Sequence, residues 1–156
     1  MPDPTNDIYI GVIGAGHCTG KLETTAYELG QHIAKANAVM VCGGLDGVMK
    51  AAAEGVRSEK GISIGIIPGN DRSDANRFID YVVCSGVGEA RNIQIIKTAD
   101  VVIALSGKYG TLSELGFALK LNKPVISLGS WEIDETVINA KNPKEAVQLA
   151  LQAIKR

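Results

Sequence analysis

Apolar residues in this chain fall into short runs closed by glycine-bearing turns, and most runs are followed by a stretch whose apolar positions recur at helical spacing. Ile8 to Ile13, Ala38 to Cys42, Ile62 to Ile67, Tyr81 to Cys84, Val101 to Leu105 and Pro124 to Leu128 read as strands. Most of these runs lack alternating polar positions, which suits strands buried on both faces. Helices are expected over Lys21 to Ala36, Val48 to Arg57, the stretch ending at Thr98, Thr111 to Leu121 and Lys144 to Lys155. Asn142-Pro143 opens the last of these, and Ala146, Val147, Ala150, Leu151 and Ile154 form its apolar stripe. Between Ile67 and Tyr81 the chain is polar, with room for one turn at Asp74 to Arg77. Gly129-Ser130-Trp131 ends the regular alternation, and Trp131 reads as a plug for the sheet end or a cover for a pocket.

Strands interleaved with helices imply an α/β fold: a three-layer Rossmann-like sandwich around a six-stranded, mainly parallel sheet, because right-handed crossovers put helices on both faces. A doubly wound strand order of 3-2-1-4-5-6 is the expectation, with the switch point between the first and fourth strands. In such a sheet the turns at the carboxyl ends of the strands share one edge. Gly14 to Gly16, Gly43 to Gly47, Ser85 to Arg91 and Ser106 to Glu114 are therefore expected to line a single cleft.

Those turns carry the candidate chemistry. A parallel strand running through glycines into a helix N-terminus gathers unpaired backbone N–H groups and the positive end of the helix dipole, which is an anion site. Gly14 and Gly16, then Gly43, Gly44 and Gly47, then Gly107 and Gly110 with Lys108, Tyr109 and Thr111, are the expected phosphate-binding residues. The first turn resembles part of a dinucleotide fingerprint, but its third glycine is displaced to Gly20 and no acidic residue closes the second strand, which argues against NAD. Arg91 falls in the first turn of a helix, where a cation opposes the dipole and an anionic partner would explain it. Glu114 has two readings. It either reaches back to the Thr111 N–H as a capping box, or it projects toward whatever fills the anion site.

Composition narrows the classes. The chain has 156 residues, 46% of them hydrophobic, enough for one domain (1–156) with a substantial core. A formal net charge of −1, with Lys and Arg dispersed, leaves no basic footprint for nucleic acid. Cys18, Cys42 and Cys84 form no C-x-x-C pair, and His17 and His32 stand alone, so neither a disulfide frame nor a metal site is indicated. No window approaches the apolar length of a membrane span, and the N-terminal stretch lacks the features of a signal peptide. A soluble cytoplasmic protein is expected.

Two stretches carry a family resemblance that covers nearly the whole chain. Cys42-Gly43-Gly44-Leu45-Asp46-Gly47-Val48-Met49 resembles a G-G-G-x-x-G-L-M element, and Ser106-Gly107-Lys108-Tyr109-Gly110-Thr111-Leu112-Ser113-Glu114 resembles a P-G-G-x-G-T-x-x-E element, of the LOG (Lonely Guy, lysine decarboxylase-like) superfamily. The short chain and Gly88-Glu89-Ala90-Arg91-Asn92 are most similar to the small branch that includes molybdenum-cofactor carrier proteins. The resemblance implies a carrier for a phosphorylated nucleotide-like ligand, either a nucleotide or the molybdenum cofactor, with no further cofactor required. It also implies a homodimer or homotetramer, with surplus apolar surface expected on the helix Thr111 to Leu121. The alternative it implies is a phosphoribohydrolase that cleaves the N-glycosidic bond of a nucleoside 5′-monophosphate. Arg91 and Glu114 match that enzyme's catalytic pair, Arg91 then holding Glu114 or the phosphate in register. Ser106 and Lys108 depart from the motif, in place of its proline and second glycine.

Overall fold

Each apolar run becomes a strand close to its expected ends, and Tyr9–Gly14, Val39–Cys42, Val101–Leu105 and Val125–Leu128 are buried in the middle of a parallel sheet, whereas Tyr81–Cys84 forms an exposed edge. The computed structural model describes residue 3 and residues 5–154. In order, the elements are β1 (Tyr9–Gly14), α1 (Gly20–Lys35), β2 (Val39–Cys42), α2 (Val48–Ser58), β3 (Ile62–Ile67) and β4 (Tyr81–Cys84). They continue with α3 (Asn92–Thr98), β5 (Val101–Leu105), α4 (Tyr109–Lys120), β6 (Val125–Leu128), β7 (Ile138–Asn139) and α5 (Pro143–Ala153). Lys155, the expected end of the last helix, lies outside the described residues. Short 3-10 turns at Arg72–Asp74 and Gly88–Arg91 flank β4, the first slightly ahead of the turn expected at Asp74 to Arg77. Asn142 caps α5 by accepting from the Glu145 N–H at 2.8 Å, with proline at its first position.

The sheet is parallel throughout, in the order β4-β3-β2-β1-β5-β6-β7. This corrects the expected order 3-2-1-4-5-6. The fourth strand lies beside the third, with Ile64 opposite Tyr81, and the fifth lies beside the first, with Gly14 opposite Leu105. The reason is the connection between β3 and β4: it holds one 3-10 turn and no helix to carry the chain over the sheet, so β4 takes the adjacent edge. The chain crosses only afterwards, through α3. Asp100 then fixes β5 against β1, its N–H donating to Tyr9 O and its carboxylate accepting from the Tyr9 N–H, both at 2.8 Å. The seventh strand, two exposed residues beside β6, has no apolar run to announce it.

Helices cover both faces. Leu29, Ile33, Ala52, Val56, Ala146 and Ala150 from α1, α2 and α5 pack on Ile10, Val12, Met40 and Ile103. Ile95, Ile96, Leu115 and Ala118 from α3 and α4 pack on Ile13, Val41 and Val102, with Trp131 against the edge of that cluster. On the helix expected to carry surplus apolar surface, Leu112, Phe117, Leu119 and Leu121 are half-buried and Tyr109 at its start is exposed. The exposed large apolar side chains sit on and after β4, at Tyr81, Val83 and Val87, and at Tyr109, Ile133 and Ile138.

Helices α1 and α2 meet backbone to backbone through two glycines. A Cβ on Gly30 would fall 2.9 Å from Val56 N and one on Gly55 would fall 3.1 Å from Gln31 N, each also overlapping a carbonyl of the facing helix. Neither neighbour is a side chain that can swing away. Gly30→Ala is therefore expected to destabilise by about 1–3 kcal/mol, whereas Gly116→Ala in α4, where nothing lies within 4 Å, gains about 0.5–1 kcal/mol from helix propensity. Urea denaturation of both variants checks the contrast; equal and small shifts would remove the packing argument.

Candidate functional site

The carboxyl ends of β1, β2 and β5, together with the 3-10 turn before α3, enclose a cleft of about 540 Å³. Its floor is Val12 and Ile13 of β1, and one wall is the β1 turn, Gly14 to His17. Leu45 and Met49 come from the β2 turn and the start of α2, Glu89, Arg91 and Asn92 from the turn before α3, and Lys108, Gly110, Thr111 and Glu114 from the start of α4. This edge of the sheet is where the chain leaves β1 and β5 in opposite directions, so the helices diverge and leave room.

The expected site residues divide. Gly14, Gly16, Arg91, Lys108, Gly110, Thr111 and Glu114 line the cleft; Gly43, Gly44, Gly47, Gly107 and Tyr109 do not. The second glycine turn makes room for the protein itself. A Cβ on Gly43 would stand 2.7 Å from Arg91 Nη2 and 2.8 Å from Met49 Sδ, so the side chain that approaches that backbone is the guanidinium. Gly44, at φ +73°, faces Ile67 Cγ2 at 2.7 Å, and Gly47 lies against the β1 turn. At Gly110 and Gly16 nothing lies within 4 Å, and these are the open faces of the cleft. His17, Met49 and Asn92 complete the lining; Asn92 sits in the arginine-bearing stretch and Met49 closes the glycine element that follows the second strand, while no pattern gave His17 a place here.

Helix α4 begins at Tyr109, two residues earlier than the cap assigned to Thr111. Its N-cap is Lys108, no side chain caps it, and the first helical bond runs from the Leu112 N–H to Lys108 O at 3.0 Å. Glu114 therefore lies in the second turn and the capping-box reading falls. The N–H groups of the first turn have no side-chain cap. Ser106 stands at φ +55°, a conformation a proline ring cannot reach, so the turn before α4 has a shape of its own. Two bonds from the loop after β6 hold it: Ser130 Oγ donates to Ser106 O at 2.7 Å and Trp131 Nε1 to Lys108 O at 3.0 Å.

Arg91 is 5% exposed. Its Nη1 donates to Asn92 Oδ1, and its nearest carboxylate is that of the exposed Glu89, 3.9 Å away. Among the described residues its Nε is the one buried side-chain polar atom without a partner. Glu114 makes no ion pair with it; of the two roles expected of Arg91, holding Glu114 or a phosphate in register, the first has no contact here. Burial pushes the Glu114 carboxyl up to about 8, against the pull of Arg91 and with a further push from Glu89. Among the described residues no group of three His, Cys, Asp or Glu side chains comes together to hold a metal ion, and no helix is long and apolar enough to cross a membrane.

A carboxyl raised from 4.5 to about 8 by folding contributes stability that is complete below the unfolded value and lost as the pH rises through the folded one. In the ligand-free protein, Glu114→Gln is thus expected to gain on the parent between pH 4.5 and 9, by a difference on the order of 3–5 kcal/mol. Paired denaturation curves across that range measure it; a constant difference would show that Glu114 is not desolvated as described.

Three comparisons place this arrangement among known proteins. Residues 7–155 match the SLOG cluster4 family. An uncharacterized protein of Archaeoglobus fulgidus is 38% identical over 144 residues, covering 92% of this chain and 95% of that one. Among solved structures, the molybdenum cofactor binding protein from the phototrophic bacterium Rippkaea orientalis is 34% identical, with a TM-score of 0.90 over 96% of this chain and 99% of that one. The molybdenum cofactor carrier protein of Chlamydomonas reinhardtii is 28% identical, with a TM-score of 0.88 over 97% and 100% of the two chains. With nearly its whole length matched in sequence and in three dimensions, the chain belongs to the SLOG cluster4 family.

Proposed function

We propose that this chain is a single-domain cytoplasmic carrier for a phosphorylated nucleotide-like ligand, the molybdenum cofactor or a nucleotide. The observation that carries the reading is Arg91. A buried guanidinium with one partnerless N–H and only an exposed carboxylate at 3.9 Å is a cation short of negative charge. Across the same cleft lie Lys108 and the uncapped N-terminus of α4, a second source of positive potential. Relatives of high structural similarity from Rippkaea and Chlamydomonas bind or carry the molybdenum cofactor, a phosphorylated molecule of suitable class.

Glu114 fits a carrier better than a hydrolase. With its carboxyl at about 8, most of it is protonated at neutral pH, so it donates a hydrogen bond to an anionic ligand instead of repelling it. Cleaving a nucleoside monophosphate by the alternative route needs the ionised form, either to stabilise the oxocarbenium charge or to activate water. Its place in the cleft keeps that second reading in view.

Isothermal titration with AMP, GMP and molybdopterin is expected to show affinity that depends on the phosphate. Gly110→Asp places a carboxylate in the open face of the cleft and is expected to weaken binding by about a hundredfold, with Lys108→Ala costing about tenfold. Affinity unmoved by either change would locate the ligand elsewhere. Incubation with AMP and other monophosphates should leave the glycosidic bond intact at pH 7; release of free base, abolished in Glu114→Gln, would establish the hydrolase instead.

The carrier is proposed to act as a homodimer or homotetramer. Tyr81, Val83 and Val87, exposed on and beside an edge strand, are the apolar surface such an assembly would cover. Sedimentation velocity at micromolar concentration is expected to show no stable monomer, and Tyr81→Lys is expected to raise the monomer fraction; a monomeric parent protein would end this part of the proposal.

A further inference from the structure

The chain has one tryptophan and four tyrosines, and one of each meets at the rim of the cleft. Tyr109 is 80% exposed, the largest exposure of a large apolar side chain among the described residues. It stands between Lys108 and Gly110, both of which line the cleft; outside the lining itself, its exposed side chain leaves the same turn at the edge of the opening. Trp131 lies beside it, ring centroids 6.3 Å apart and planes inclined at 32°.

Trp131 is held from two sides. It packs against the α3 and α4 side of the core, and its indole N–H is committed to Lys108 O. Its ring is therefore fixed to the same turn that carries Lys108, and it backs Tyr109 without covering it. At 6.3 Å and 32° the pair leaves no slot for a ring between them, so a flat guest would lie on the open face of Tyr109. An exposed aromatic braced in this way gains little for the fold, because most of its surface stays in water. It is suited to a planar group brought to it by the phosphate anchored below.

Resting on the carrier reading above, we infer that Tyr109, braced by Trp131, is a stacking platform that selects ligands whose phosphate is joined to a flat fused heterocycle, of purine or pterin type, over bare sugar phosphates. The phosphate end would supply attraction common to all such ligands, and the platform would supply the choice among them.

The test compares GMP, a side-chain phosphate of a pterin and ribose 5-phosphate by titration, with the emission of Trp131 followed for GMP and ribose 5-phosphate. Because Trp131 is the only tryptophan, its signal reports this rim alone. At least one heterocyclic ligand is expected to bind about tenfold more tightly than ribose 5-phosphate, and the stronger of the two arms assigns the ring class. GMP binding is expected to perturb Trp131, and ribose 5-phosphate binding is not. In Tyr109→Ala the preference for the ring over ribose 5-phosphate should collapse toward one, and Tyr109→Phe should keep it. Equal affinities for all three ligands in the parent, or a preference that survives Tyr109→Ala, would overturn the platform while leaving the cleft as the phosphate site. Failure of all three ligands to bind would overturn the cleft reading and the platform together. Conversion to monomer by Tyr109→Ala, with no ring preference in the parent, would assign the pair to contact between copies and overturn the inference.

Discussion

A guanidinium taken out of water, with its nearest carboxylate at 3.9 Å and on the exposed side, is the constraint around which the carboxyl edge of this sheet is built. Desolvating such a charge costs several kcal/mol unless it is paired and hydrogen-bonded, and the protein supplies only Asn92 and a distant Glu89. The missing glycine side chain at Gly43 is what lets Arg91 lie there at all. Hydrophobic burial in two clusters on either side of the sheet holds the turn in place against that cost. On the carrier reading proposed above, an anion in the cleft would relieve that cost. Glu114, kept mostly neutral at pH 7 by the same burial, avoids cancelling the charge before a ligand arrives.

Topology explains why the parts come together. Because β4 takes the edge beside β3, the chain must return across the sheet before β5, and the return path is the turn that bears Arg91. The glycine turn of β2, the turn of β1 and the start of α4 then converge on Arg91 from three strand ends that are neighbours in the sheet. Had β4 inserted beside β1, the start of α4 would have been separated from the β1 turn by one more strand. The observed strand order is thus what sets the start of α4 beside the β1 turn.

Much of this was legible in the sequence. Strand runs without polar interruption, glycines at their ends and apolar helical stripes located the elements and the edge that carries the cleft, since each is a local pattern with one structural solution. Strand order was less legible, because it depended on a connection too short for a helix, a property of reach and not of periodicity. β7 left no trace, its two residues being exposed. At the site, Arg91, Glu114, Lys108 and Gly110 were read from turn chemistry, but the glycines at 43 and 44 were read for the wrong guest. A glycine announces only that something comes close. Whether the neighbour is a ligand, the guanidinium of Arg91 or the methyl of Ile67 is decided by residues far away in the chain.

Ser106 carries a consequence for how this turn could have arisen. An L-residue other than glycine at φ +55° is held there by the Ser130 hydroxyl on its carbonyl, and proline cannot occupy that conformation. Between a chain with proline at this position and the present one, there is no neutral single step: proline placed on this backbone breaks the turn, and serine placed on a proline-shaped turn has no use for Ser130. The two positions have to change in company, and the order matters. A hydroxyl at 130 is harmless before the turn flips, whereas a flipped turn without it lacks its anchor.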